Sequence, residues 1–249
     1  MLFYRICKIN EFTTVLPWFF AIFPNIKYIN TRLFLKEYPM KNRFALTLVA
    51  TLICSTLAMA QLQKLPAPAK TGGKPVMEAL WDRASGTEFN DKMLSDQDLS
   101  NLLFAAIGVN RPADGKLTSP TARNFQEIRV FVFTSKGVSE YLNKENALKQ
   151  VAKGDHRALV ADRQDWAKAA PVSILIVADE TKFGSSDARA KVTMGTDAGI
   201  VSENINLFCA GMGLVTRPRM TMDVPAIKKL LKLSDSQVPL LNNPVGYAK

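Results

Sequence analysis

Apolar residues fall into blocks along the chain whose spacing changes from helical to strand-like. Val76, Met77, Leu80 and Trp81 recur at helical spacing and predict a helix over 76–84. Ser95 opens a second helix, with Asp98 three residues later as a capping-box acid. Leu99, Leu102, Leu103, Ala106 and Ile107 form its buried stripe, and Gly108 closes it. Residues 110–123, rich in Pro, Gly, Ser and Thr, read as a loop. The run 128–133 sets Ile and Val against Arg and Phe, a strand apolar at most positions and therefore central in a sheet. Residues 138–151 predict a hairpin turning at 143–146, Asp155 caps a helix running to Ala169, and 172–178 is a continuous apolar strand. A long helix over 186–211 turns Ala198, Val201, Ile205 and Phe208 inward. Leu214–Thr216 is short and extended, Asp223 caps a helix with Ile227, Leu230 and Leu231 inside, and 238–247 is a last strand. Helices lead and then mix with strands, which predicts an α+β domain with a central mixed β-sheet flanked by helices.

The first sixty residues follow another logic. After Met40, Lys41 and Arg43 make a basic n-region, and residues 44–57 make an apolar h-region. Ala58-Met59-Ala60 then supplies small residues at the two positions a signal peptidase needs. Residues 40–60 thus read as a signal peptide cleaved before Gln61, with the remainder exported, in a bacterium to the periplasm. A membrane anchor is the alternative, but about 20 apolar residues are needed to span a bilayer and this run is shorter. Residues 1–39 read as a segment upstream of the translated start, or else as an interfacial segment; their apolar stretch 15–23 contains Pro17 and ends at Pro24. Residues 61–74, with Pro, Ala, Lys and Gly, form an extended arm, and 75–249 are enough for one domain with its own core.

Removing the first sixty residues changes the electrostatics. They hold seven of the 32 Lys/Arg and two of the 22 Asp/Glu, so the net charge of +10 falls to +5 for the remainder. That is ordinary for a soluble domain and gives no footprint for nucleic acid. Cys7 and Cys54 leave with the same segment and Cys209 stays alone, so the mature chain has no internal disulfide. With one histidine, His156, and no CxxC or HExxH, zinc chemistry and His-based triads are excluded and no metal site is expected.

Four stretches, in order, resemble the nitroreductase family, in particular its small exported, azoline-oxidase-like relatives. Arg83-Ala84-Ser85-Gly86-Thr87-Glu88-Phe89, just after the first helix, stands where the family has a basic-basic-Ser-x-basic-x-Phe motif holding the flavin phosphate and the pyrimidine edge of the ring. Ser119-Pro120-Thr121-Ala122-Arg123-Asn124-Phe125-Gln126 is similar to the family's Pro-Ser-x-x-Asn-x-Gln stretch, whose Asn hydrogen-bonds the isoalloxazine. Asp197-Ala198-Gly199 through Asn204 to Gly213-Leu214 resembles the long helix that forms the family's dimer core, and Pro244-Val245-Gly246-Tyr247 resembles the terminal strand.

The resemblance implies an FMN-dependent oxidoreductase, a homodimer with flavin in the groove between subunits, and no stable membrane span in the mature form. The cofactor carries hydride from a small-molecule donor to a nitroaromatic, quinone or azoline-like acceptor. Arg83, Ser85 and Thr87, Thr121 and Asn124 are the implied cofactor residues of the first two motifs. In the segment after the long helix, Pro218 has no N–H, so Met220 or Thr221 is the backbone donor to the ring. Ala84 and Thr87 stand where the family has basic side chains; Lys249, Arg217 or Arg219 are the candidate replacements. Each missing charge-assisted bond costs about 1.5–3 kcal/mol. The competing expectation is therefore a non-catalytic or flavin-carrying binding protein on the same fold.

Overall fold

The computed structural model describes residues 62–183 and 187–249. The expected signal peptide, the segment 1–39 and the Ser186 start of the long helix lie outside the described residues.

In chain order the elements are β1 (Leu62–Lys64), α1 (Val76–Asp82), α2 (Asp96–Ile107), β2 (Val109–Arg111), β3 (Lys116–Leu117), a 3-10 turn (Ala122–Asn124), β4 (Ile128–Thr134), β5 (Gly137–Leu142) and β6 (Ala147–Lys153). There follow α3 (Arg157–Ala161), α4 (Asp165–Ala169), β7 (Val172–Asp179), a 3-10 turn (Glu180–Phe183), α5 (Ala188–Met212), β8 (Leu214–Thr216), α6 (Val224–Leu231) and β9 (Gln237–Tyr247). Seven strands form one sheet in the order β1-β6-β5-β4-β7-β9-β8. Each neighbouring pair is antiparallel. This is an α+β domain, as the pattern predicts.

The period of two in β4 and β7 divides the core between the two faces of the sheet. Val130, Val132, Ile174 and Ile176 face α2 and α5, where they meet Leu102, Leu103, Val201 and Ile205. Phe131, Phe133, Leu175 and Val177 face the other way, onto Val160 and Ile227 of α3 and α6. All are fully or almost fully buried. Each large side chain so covered contributes about 1.5–3 kcal/mol. Two asparagines in β9 split in the same manner. Asn243 accepts from Ser202 Oγ (2.9 Å) on α5, while Asn242 accepts from Arg219 Nη1 (2.8 Å) on the opposite face.

Local signals set the ends of the helices. Ser95 Oγ accepts from Asp98 N (3.0 Å), and the Asp98 carboxylate receives the Ser95 hydroxyl (2.7 Å), so Ser95 caps α2 as expected. Asp187 Oδ1 accepts from Ala190 N (2.8 Å) to start α5, and Gly213, at φ 68°, ends it. Asp223 caps α6.

Two expectations are corrected. Residues 110–123 are not only loop, because β2 and β3 pair as a small bulged hairpin within them. The helix expected from Asp155 to Ala169 is broken at Asp162, which takes φ 50°. Past the break Arg219 reaches the last carbonyls of α3: Nη1 donates to Val160 O and Nη2 to Ala161 O, each at 2.8 Å, and Gln164 N also donates to Ala161 O (3.1 Å).

The arm is docked along its length. β1 pairs with β6, Ser100 Oγ donates to Pro66 O (2.6 Å), and Ala69 N donates to Asn101 Oδ1 (2.8 Å).

Candidate functional site

Arg83 follows α1 directly, and the chain then runs as an extended ribbon past the end of the sheet. Gly86 N donates to Thr216 O (3.0 Å), and a Cβ at Gly86 would lie 2.5 Å from Val215 Cγ1, so only glycine allows this approach. Phe89 is buried and bridges Ala248, while Asn90 donates to Tyr247 O and, through Nδ2, to Ala248 O, each at 3.0 Å. The ribbon therefore holds Arg83, Ser85 and Thr87 beside β8 and fixes Lys249 next to it. Arg83, Ser85 and Lys249 are exposed and Thr87 is half-buried. Among the described residues none of the four side chains has a hydrogen-bond or ion-pair partner. The neighbouring acid, Asp82, is engaged by Lys74.

The segment after β8 meets this ribbon. Arg219 and Asn242 exchange both backbone hydrogen bonds at 2.8 Å. In an antiparallel bridge the next N–H points to the opposite side, so the Met220 N–H turns away from β9. Met220 is 75% exposed and Thr221 half-buried. Arg219, a candidate flavin ligand from the sequence, has a different job. The residue is 6% exposed, and its guanidinium donates to Val160 O, Ala161 O, Gln164 Oε1 and Asn242 Oδ1, each at 2.8 Å. Four of the roughly five N–H groups of an arginine are thereby spent inside the protein. Arg219 contributes positive field, with burial pushing its pKa down, while its donors fix the loop.

Arg217 is exposed, and its guanidinium lies 5.5 Å from the Trp166 ring centroid, with that of Arg219 at 5.2 Å. Trp166 in turn stacks on Phe89, centroids 6.5 Å apart and planes 17° apart. This stack joins the ribbon to the loop. A hollow of about 220 Å³ opens there, lined by Gln164, Trp166, Arg217, Arg219, Met220 and Thr221. Trp166 is legible in the sequence as a packing or stacking aromatic. Phe89 closes the first motif, whereas Gln164 carries no sequence signal.

Thr121 and Asn124 lie elsewhere. The loop that carries them is strained, with Arg123, Asn124 and Gln126 at φ 52°, 59° and 50°. Non-glycine residues take such angles only where the surroundings impose them, commonly at functional sites. Thr121 Oγ1 accepts from Gln126 N (2.9 Å), and Ala122 N donates to Asp197 Oδ2 (2.9 Å), the side of α5 away from Met212. Asn124 is exposed; its Oδ1 accepts from Gln126 Nε2 (3.2 Å), leaving its own amide N–H groups unspent. Beneath the loop, Glu127 is 1% exposed and neither carboxylate oxygen has a hydrogen-bond partner. Burial, with the adjacent Asp197 carboxylate, raises its pKa to about 7. Sequence spacing does not reveal this pair, seventy residues apart.

The two clusters lie far apart along α5. From Asp197 to the helix end at Met212 the axis advances roughly 20 Å at 1.5 Å per residue. One chain therefore does not bring Asn124 to Arg83.

These residues suit FMN. A phosphate calls for cationic and hydroxyl donors, which Arg83, Ser85, Thr87 and Lys249 offer with no protein acceptor already claiming them. Ring heteroatoms call for an amide and a backbone N–H, which Asn124 and Met220 offer. The buried hydroxyls of Ser119 and Thr216, one beside each cluster, also lack a protein partner. No group of three or more His, Cys, Asp or Glu among the described residues could hold a metal ion.

Comparison with known proteins agrees with this geometry. A nitroreductase-family protein of Methanocaldococcus jannaschii is 27% identical over 182 residues, covering 68% of this chain and 89% of its own. The crystal structure of a nitroreductase-family protein from Ralstonia eutropha matches with a TM-score of 0.71 at 29% identity, over 76% of this chain and 90% of that one. The NADPH:FMN oxidoreductase of Vibrio harveyi, in complex with NAD+, shares the fold alone, with a TM-score of 0.54 at 15% identity over 70% of this chain and 69% of that one. The model of the nitroreductase family itself matches residues 82–247, from the ribbon to the last strand, and the chain belongs to that family, whose members are flavin-dependent oxidoreductases.

Proposed function

We propose that the protein is an FMN-dependent oxidoreductase that works as a homodimer, taking hydride from a small-molecule donor and giving it to a nitroaromatic, quinone or azoline-like acceptor. The observation that carries this reading is the set of unspent donors at Arg83, Ser85, Thr87, Lys249 and the Met220 N–H, gathered by one ribbon and one loop. FMN, when bound, supplies the hydride chemistry. Arg83, Ser85 and Lys249 hold the phosphate, and Thr87 faces the ring edge. Met220 or Thr221 N–H orients the ring, and Asn124 of the second copy completes the site.

The separation of the clusters along α5 supports the dimer. A two-fold pairing that lays α5 antiparallel to its copy sets the second motif of one chain beside the first motif of the other. The surface supports it too. On α1 Val76, Met77, Leu80 and Trp81 are 65%, 63%, 48% and 85% exposed, and Val192 on α5 is 70% exposed. Apolar patches of that kind mark interaction surfaces.

Export after cleavage near Gln61 belongs to the same proposal, motivated by the segment 40–60. Among the described residues no helix is long and apolar enough to cross a membrane.

A second reading, a flavin-binding protein without turnover, is favoured by Ala84, which brings no charge to the ribbon. Visible flavin absorbance of the purified protein separates the two. Absorbance that is bleached by a reductant and restored by nitroaromatic or quinone acceptors supports the enzyme. Retained flavin that no acceptor reoxidises supports the carrier, and no flavin uptake after FMN addition sinks both.

A further inference from the structure

We propose that the hollow lined by Arg217, Gln164 and Trp166 binds the anionic group of a planar substrate, so that the protein prefers carboxylate-bearing aromatic or quinone compounds to their neutral analogues. This deepens the oxidoreductase reading and rests on it for the identity of the molecule as a substrate.

The lining is mostly polar and supplies hydrogen-bond donors beside the Trp166 indole. Arg217 has no acidic partner among the described residues; its recorded contact is the indole of Trp166, 5.5 Å away. A guanidinium resting on a ring keeps its in-plane N–H groups free for a carboxylate. Gln164 spends its Oε1 on Arg219 Nε (2.8 Å), which leaves the Nε2 amide as donor. Arg219 lies beneath as a fixed cation held by four oxygens. The nearby acid that acts on Arg219, Asp162, also pairs with Arg163 at 3.5 Å. Two arginines thus share one indole; burial first, and then the like charge of Arg217, lowers the pKa of Arg219. An anion between them relieves that repulsion.

Size and position favour a substrate over the cofactor. At about 220 Å³ the hollow is smaller than the roughly 300–1,000 Å³ that takes a whole drug-sized ligand, so it receives one end of a molecule. The proposed phosphate donors, Arg83 and Ser85 on the ribbon and Lys249 next to it, are outside the lining of this hollow, whereas Met220, which carries the proposed ring donor, is part of it. A group held by Arg217 and Gln164 therefore sits next to where the ring is expected.

The test is isothermal titration calorimetry on the full chain with 4-nitrobenzoate and nitrobenzene, and separately with FMN and riboflavin, for wild type and Arg217→Gln. The expected result is 4-nitrobenzoate binding about tenfold to a hundredfold tighter than nitrobenzene, one charge-assisted contact. Arg217→Gln should erase that preference and leave the FMN-to-riboflavin ratio unchanged. Equal affinity of wild type for the two nitro compounds, or no measurable binding of 4-nitrobenzoate, overturns the proposal. So does an FMN preference that collapses in Arg217→Gln, which would assign the residue to the cofactor phosphate. Loss of all flavin binding with the 4-nitrobenzoate preference intact would sink the oxidoreductase reading but support the anion site.

Discussion

The backbone N–H of Ala122 donates to Asp197 Oδ2 across 2.9 Å, tying the strained second-motif loop to the middle of α5. Asp197 is 4% exposed and Glu127 1% exposed, so two carboxyl groups share one dry region under that loop. Both charged at once, they would repel each other with little water to screen them.

The first prediction concerns pH. Burial and then Asp197 raise the Glu127 pKa from its ordinary 4.5 to about 7, so the folded chain holds this proton where the unfolded chain has lost it. Stability from this group is accordingly full below pH 4.5 and is lost as pH rises through about 7. Urea midpoints at pH 5 and pH 8 should differ more for wild type than for Glu127→Gln, with wild type relatively weaker at pH 8. Identical pH dependence in the two proteins would refute this origin.

Arg219 acts through structure. Replacing it by Ala leaves the Val160 carbonyl and the Asn242 amide oxygen without their donor and takes from Ala161 O one of its two donors, Gln164 N being the other. Stranded buried groups cost about 1–3 kcal/mol each, less where water reaches them, and the total should be roughly 2–4 kcal/mol. Chemical denaturation measures it, and a loss under about 0.5 kcal/mol, typical of a surface substitution, would contradict the anchoring role.

Arg83→Ala should weaken FMN by about 1.5–3 kcal/mol, on the order of tenfold to a hundredfold, and leave riboflavin unchanged. Thr87→Arg should tighten FMN by restoring a cation to the ribbon. Fluorescence titration of both ligands decides the matter; equal weakening of FMN and riboflavin by Arg83→Ala would show that this side chain does not hold the phosphate.

Assembly is tested at α1. Light scattering at micromolar concentration should give a dimer for wild type. Trp81→Glu, which places a charge on an 85% exposed apolar face, should shift the mass toward a monomer without lowering the helix content. A monomeric wild type would remove the basis for a shared site.

The sequence reveals most of what local chemistry governs. The Ser95 cap and the stripe of α2 are written within thirteen residues, and the apolar periods of β4 and β7 suffice to centre them in the sheet. Hairpin β2–β3 escapes because strands of three and two residues show no alternation. The break at Asp162 escapes for a different reason. The side chain that holds the last carbonyls of α3 belongs to Arg219, some sixty residues later in the chain. The same distance makes Arg219 look like a free ligand, since a sequence shows a charge but not its partners. Strain at Arg123, Asn124 and Gln126 is likewise hidden, because no glycine marks those left-handed positions. The helical stripe of α1 is plain in the sequence, but periodicity does not say whether the same molecule covers it, and here Trp81 is left facing outward.

The docked arm has a consequence for handling the protein. β1 covers Ala147, Leu148 and Lys149 of β6, which would otherwise form the outermost rail of the sheet. A naked rail offers unpaired backbone groups to any passing strand. The remainder of β6 carries Lys153, a charge that discourages such pairing, but Leu148 lies under the arm. Trimming the chain past Lys64 would therefore uncover a sticky edge, and the shortened protein should precipitate on storage before its secondary structure melts.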